Sequence, residues 1–194
     1  MGASILPVAI NNNNELVFLF GKERCTDETV GWSDFGGGTE HGETLLKTAI
    51  REGEEELSGF LGNKTHIANT LKQTGYFYID YNNVYKGVES IYRIYIYPIK
   101  YDELLPDYYN NNHHFLQKKM SKNMMTHSKF FEKVQLKWFK ISELNKFKPD
   151  FRIFYQNIIP LLEKNKNAIK QFTKNGKKSK RRNKNNYKNK TIKK

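Results

Sequence analysis

The stretch GGTEHGETLLKTAIREGEEELSG, residues Gly37 to Gly59, decides the reading of this chain. A glycine turn leads into a helix-forming run that carries Glu43, Arg51, Glu52, Glu55 and Glu56 at fixed intervals. An α-helix advances about 100° per residue. Glu52 and Glu56 therefore stand one turn apart, with Glu55 beside them at i+3. This spacing predicts three carboxylates converging on one side of a helix spanning about 43–57. Leu46, Ile50, Gly53 and Leu57 form a core-facing stripe on the other side. Like charges this close repel unless a cation lies between them, and a hard divalent ion such as Mg²⁺ selects oxygen ligands of this kind.

The pattern resembles the Nudix box, G-x5-E-x7-R-E-U-x-E-E-x-G-U with U aliphatic. Gly37, Glu43, Arg51, Glu52, Glu55 and Glu56 match it at the right spacing. Gly53 replaces the usual aliphatic residue, and close packing of the helix on a sheet is the expected reason, because glycine costs about 1 kcal/mol relative to alanine inside a helix. Ser58 replaces the closing glycine and Gly59 follows one residue late, as if the helix end were extended by one residue. The resemblance implies an α+β fold, an α/β/α sandwich with a mixed β-sheet. It implies hydrolysis of a phosphoanhydride with bound Mg²⁺ or Mn²⁺. It gives Glu52, Glu55, Glu56 and the backbone carbonyl of Gly37 as metal ligands. Glu43 and Arg51 are expected to pair and fix the loop–helix geometry.

Outside the box, Ile5–Ile10 and Leu16–Phe20 read as a hairpin across Asn11–Asn14. Gly75–Tyr81 and Ser90–Ile99 read as strands, rich in aromatic and β-branched residues. Arg93 lies centrally on one face of the second strand with Tyr95, so that face either lines a substrate cleft or pairs its arginine with an acid. Trp32, in the glycine-rich approach to the box, is a further candidate for substrate contact. Pro106–Lys129 reads as a polar insert, helical around His113–Met125. Its Lys118, Lys119, Lys122 and Lys129 are within reach of a phosphorylated substrate. His113, His114 and His127 lack metal-site spacing and read as surface residues. Leu136–Phe139 reads as a strand, Ile141–Lys146 as a short helix, and Asp150–Lys164 as a helix interrupted near Pro160.

Composition sets the remaining bounds. One cysteine, Cys25, excludes an intrachain disulfide framework and fits a reducing, intracellular location. The apolar run Ile5–Ile10 is too short for a signal peptide, and no segment approaches the ~20 apolar residues that span a bilayer. The net charge of +13 is uneven: residues 164–194 hold 14 of the 33 Lys and Arg and no acid. The expected organisation is one domain, residues 1–163, followed by a disordered basic tail, residues 164–194. The tail, with Lys177, Lys178, Lys180, Arg181 and Arg182 at its densest, reads as an arm for RNA, as a solubilising segment or as a nuclear-localisation patch.

Two segments bear on the substrate. Glu132 precedes Trp138 by six residues, in a region similar to the one that supplies a catalytic glutamate in the mRNA-decapping Nudix enzymes. Glu132 is therefore expected as extra ligand or general base beside Glu55 and Glu56, with Glu89 as its rival. The basic tail and the abundance of aromatic residues point to capped RNA as the phosphorylated substrate. The Asn/Lys bias (21 and 27 residues) resembles that of Nudix proteins of large DNA viruses. The alternatives are a small-molecule pyrophosphatase, acting on dinucleoside polyphosphates, nucleotide sugars or diphosphoinositol phosphates, and a catalytically silent RNA-binding module of the same fold.

Overall fold

In the computed structural model the described residues are 1–24, 30–85, 88–121, 123–124 and 132–176. Expectations for Cys25, Lys122, His127, Lys129 and the tail residues from Lys177 to Arg182 fall outside them.

Strand β1 (Gly2–Ile10) lies at the centre of a seven-stranded sheet. It pairs antiparallel with β2 (Leu16–Glu23) and with β4 (Phe35–Gly38), and parallel with β6 (Val88–Pro98). Strand β5 (Tyr78–Tyr85) adds to β6, and β3 (Trp32–Ser33) and β7 (Lys133–Lys140) add to β2, all antiparallel. The sheet is therefore mixed. The turn between β1 and β2 is closed by Asn11, whose side-chain oxygen accepts from the N–H groups of Asn13 and Glu15, with Asn14 at φ 59°.

Alternation along the strands feeds two cores. Leu6, Val8, Phe18, Phe20, Ile94, Ile96 and Phe139 face Tyr155, Ile158, Ile159, Leu162 and Ile169 from the C-terminal helices. Ala3, Ile5, Leu19, Phe35, Tyr95, Tyr97 and Leu136 face the other way, toward Ala49, Leu57, Ile67, Leu71 and Tyr109. These last come from α1 (Leu45–Glu56), α2 (Lys64–Thr74) and α3 (Leu105–Lys119) and from the end of α1. Helices on both faces of a mixed sheet make the expected α/β/α sandwich.

Several local expectations are corrected. Helix α1 begins two residues later than expected because Thr44 caps it, its hydroxyl accepting from the Lys47 N–H. The helix ends at Glu56 rather than extending by a residue, and Ser58 itself takes the left-handed turn at φ 50°, followed by Gly59 at 75°. Helix α2, unforeseen, is capped by Asn63 and buries Ile67, Thr70 and Leu71. Helix α3 starts at Leu105, well before the expected His113. His113 is not a surface residue: it is buried, stacked beside Tyr109. Pro160 stands in the first turn of Ile159–Lys164, where its missing N–H costs nothing.

The largest correction is at the C-terminal boundary. Residues 166–176 are helical, with Ile169 and Thr173 buried and Phe172 packed against Phe77. The packed domain runs past Glu163, because an Ile169/Phe172/Thr173 stripe at helical spacing closes the core under the many lysines.

Candidate active site

Two close approaches place the box helix. A Cβ on Gly53 would lie 2.4 Å from Ile5 Cδ1, so the missing side chain lets α1 sink onto β1. A Cβ on Gly37 would lie 2.5 Å from Glu52 Oε1, so the glycine of β4 makes the cradle for that carboxylate. The Gly37 backbone and the Glu52 carboxylate are thereby brought into contact.

Arg51 clamps the entry. Its Nε and Nη2 donate to the two oxygens of Glu43, at 2.9 and 3.0 Å, and Nη2 also donates to the Gly38 carbonyl. Nη1 reaches Glu52 at 2.7 Å and Glu55 at 3.5 Å. The hydrogen bonds from Arg51 hold the Glu43 carboxyl down at about 2. The pairing expected of Glu43 and Arg51 is present, and Arg51 spans from the glycine loop to two of the box glutamates.

Glu56 has a different setting. It is buried, its Oε2 accepts the Gly36 N–H at 2.7 Å, and its Oε1 meets the ammonium of Lys133 at 3.2 Å. Burial pushes its carboxyl well above the ordinary range, against the opposing pull of Lys133. Lys133 also ion-pairs with Glu23, which takes Ser33 Oγ and Arg152 Nη1 at 2.9 Å each. The three box glutamates thus share one side of α1 but do not converge as the helical spacing alone predicts. Among the described residues no three His, Cys, Asp or Glu side chains are drawn together for a metal. The physical reason is local: Arg51 draws Glu52 and Glu55 to one side, and Lys133 draws Glu56 to the other. The donor set, hard carboxylate oxygens with Glu52 cradled at Gly37, still fits a divalent ion of the Mg²⁺ or Mn²⁺ type.

Glu132 heads β7 and is half-buried; desolvation first, and the Glu52 charge second, raise its carboxyl above the ordinary value. It therefore stands within the field of the box. Glu89 is exposed near the start of β6, in the hairpin that β6 makes with β5.

The expected substrate residues are placed otherwise. Trp32 is in the core, edge-on to Phe139 at 5.2 Å. Arg93 makes a two-pronged pair with Asp80, 2.7 Å at each contact, and lies 3.8 Å over the Tyr78 ring. Tyr95 is buried beside it. That face of β6 is taken up by core and by an internal ion pair, the alternative weighed for Arg93. Lys118 and Lys119 are exposed in the last turn of α3.

An open cleft lies on the opposite face. A cavity of about 300 Å³ is lined by Gly36, Gly37 and Gly38 on one side and by Tyr81, Tyr92, Phe154 and Arg152 on the others. Tyr92 meets Phe154 edge-on at 5.5 Å and donates its hydroxyl to Asp34 at 2.8 Å. Asp34 is buried, accepts also from Ser4, and is pushed up to about 6 by desolvation. Sequence reading missed Glu23, Asp34, Lys133 and Arg152. The Trp-Ser-Asp-Phe run ahead of the glycines was the available signal for Asp34, whereas nothing local marked Lys133 as buried.

A glycine-cradled glutamate helix on a mixed sheet between two helical layers defines a phosphoanhydride-hydrolase architecture. The NUDIX domain model matches residues 2–162, and the chain belongs to this family of hydrolases. Among solved structures the fold is similar to that of a C. elegans Ap4A hydrolase in a binary complex, at 13% identity over 82% of this chain and 91% of that one, TM-score 0.48. It is also similar to the MutT protein of Methanosarcina mazei Go1, at 12% identity over 84% and 94%, TM-score 0.47. A bifunctional NMN adenylyltransferase/ADP ribose pyrophosphatase of Francisella tularensis matches at 17% identity over 84% of this chain and 41% of that one, TM-score 0.47. No curated protein sequence matches the chain. Among the described residues no helix is long and apolar enough to cross a membrane.

Proposed function

We propose that this chain is a divalent-metal-dependent pyrophosphohydrolase of small nucleoside diphosphate derivatives, of the dinucleoside polyphosphate or nucleotide sugar kind. The observation that carries the reading is the cleft of about 300 Å³ beside Gly36–Gly38. Ligand pockets run from about 300 to 1,000 Å³, so this one is of a size for a single nucleoside. Its Tyr81, Tyr92 and Phe154 offer aromatic surface to a base, which a diphosphoinositol phosphate lacks. One wall is shared: Gly36 binds Glu56 and Gly37 cradles Glu52. The cleft and the box carboxylates therefore border the same glycine strand.

In this reading Glu52, Glu55, Glu56 and the Gly37 carbonyl hold the metal. When bound, the ion polarises phosphoryl oxygens and makes a bound water more acidic. Glu132 acts as the base at the edge of the site. Arg51 keeps the loop and the helix in register while the carboxylates are charged.

The mRNA cap is the second reading, favoured by one observation: residues 177–194 hold ten Lys and Arg and no acid. Incubation with Mg²⁺ or Mn²⁺ against a panel of dinucleoside polyphosphates, nucleotide sugars and diphosphoinositol phosphates, and against cap-labelled RNA, separates the readings. Turnover confined to capped RNA refutes the small-molecule assignment. Absence of turnover on every substrate favours the silent RNA-binding module.

A further inference from the structure

Helix α3 is clamped to the sheet along one side. Tyr109 donates to the Lys133 carbonyl at 2.9 Å, and the Asn110 side chain exchanges two hydrogen bonds with the Leu136 backbone. His113 is buried on the same side. The opposite side is not an ordinary solvated face. Leu104, just ahead of the helix, is 49% exposed, and Tyr108 and Phe115 are 53% and 59% exposed. At about 100° per residue the three fall within about 40° of one another, so they form one stripe, with Asn111 between the two rings. Single exposed apolar side chains are normal, whereas apolar groups gathered on one face mark a contact surface.

Charge says what that surface meets. Lys118 and Lys119 stand about one turn beyond Phe115, exposed on either side of the stripe, and neither has an ion-pair partner among the described residues. The acids Asp102, Glu103 and Asp107 lie at the other end of the helix. Rings interleaved with cations hold a single nucleic-acid strand: its bases stack on the aromatic faces and its phosphates meet the cations. Tyr108 and Phe115 are two turns apart, about 10 Å along the axis, so each can take its own base. A second copy of this chain is a poor occupant, because each copy carries a net charge of +13. An anionic membrane fits less well than a strand, because Asn111 breaks the apolar stripe that would enter it.

We infer that the outer face of α3 is a binding surface for single-stranded nucleic acid, with Tyr108 and Phe115 as stacking platforms and Lys118 and Lys119 as phosphate contacts. This surface is separate from the nucleotide cleft and does not depend on the metal-dependent reading given above. It also differs from residues 177–194, whose ten cations meet the phosphates of any strand alike.

The test is fluorescence anisotropy of a labelled, unstructured oligoribonucleotide on the full chain, beside an abasic strand and a duplex of equal length. The wild type is expected to bind the oligoribonucleotide about fivefold or more tighter than the abasic strand, the lower end of base stacking on aromatic side chains. Y108A/F115A is expected to lose that preference and to leave binding of the abasic strand, binding of the duplex and turnover of free nucleotides unchanged. K118Q/K119Q is expected to lower the log–log salt slope by about 1.4, at about 0.7 per single-strand phosphate contact. Equal binding of the two strands by the wild type, or an undiminished preference in Y108A/F115A, overturns the inference. So does a Y108A/F115A chain that loses self-association in sedimentation, or binding to phosphatidylserine vesicles, in place of its preference for bases. Should Y108A/F115A fail to fold by circular dichroism, F115L decides, since it keeps an apolar side chain without the ring: a reduced preference supports the inference and an unchanged one refutes it. Absence of nucleotide turnover by the wild type overturns the metal-dependent reading and leaves this surface standing.

Discussion

The box glutamates, alike in sequence, differ in setting, and their variants should separate accordingly. Glu55 is partly buried on α1, near Arg51 and Lys64. Glu55→Gln is expected to lower kcat by about two orders of magnitude or more, consistent with a lost metal ligand, with little change in unfolding midpoint. Glu56→Gln leaves the buried Lys133 short of a counter-charge. It should lose activity and also about 3–5 kcal/mol of stability, as broken buried pairs do. Urea unfolding of both variants beside their turnover checks the contrast, and equal stability loss would contradict it. Glu132→Gln should lower kcat by about 10²–10⁴ with KM little changed, the range of a lost general base; Glu89→Gln should be mild, and the reverse order moves the role to Glu89. Asp34 supplies a pH test. Its folded value of about 6 lies above the ordinary carboxyl value, so the folded state binds the proton more tightly than the unfolded chain. Stability from this group is present at pH 4 and is lost as pH rises through about 6. Asp34→Asn keeps partners for Ser4 and Tyr92 without the charge. Its thermal midpoint relative to wild type should therefore rise between pH 4 and pH 7.

At the scale of elements, spacing made α1 legible because its charged and apolar residues follow one helical period. Glycines marked where it meets β1 and β4. Gly53→Ala tests the contact: the helix gains about 1 kcal/mol of propensity, but the new methyl overlaps Ile5, at 2.4 Å from Cδ1, and overpacking costs about 1–3 kcal/mol. A net loss near 1 kcal/mol in chemical denaturation is the expected result, and a stabilised variant would show that the sinking of α1 onto β1 is not set by this glycine. Other elements were illegible for physical reasons. Helix α2 buries only Ile67, Thr70 and Leu71 among polar neighbours, so its stripe is narrow. Nothing in the sequence around Lys133 marks it as buried. The register shift between Lys22 and Glu23 turns it toward α1, where strict alternation from Phe139 places it on the opposite face. A bulge is a property of two paired strands and leaves no trace in either one. Arg93 was legible only as a choice between cleft and ion pair, because its partner Asp80 lies on the neighbouring strand.

At the scale of the whole molecule, composition placed the end of the domain too early. Lysine density masked the apolar stripe of residues 166–176, where Ile169 and Thr173 are buried and Phe172 covers Phe77. Two truncations separate the packed segment from the residues beyond it. Removing 164–194 exposes the side of the core that Ile169 closes together with Ile158 and Leu162. Burial of one such side chain is worth about 1.5–3 kcal/mol, so with the Phe172 contact the loss should reach about 3–5 kcal/mol, read as a clear fall in thermal midpoint. Removing 177–194 alone should leave the midpoint and the hydrolysis of free nucleotides unchanged. The shorter deletion also takes away ten cations. If these engage RNA, its binding to long capped RNA weakens and the salt dependence flattens, each lost single-strand phosphate contact removing about 0.7 from the log–log slope. Equal RNA binding by the full chain and the 1–176 chain across about 50–200 mM salt would remove the support for the cap reading and leave the small nucleotide cleft to define the substrate. A loss of free-nucleotide turnover in the 1–176 chain would instead mean that residues 177–194 reach the site itself.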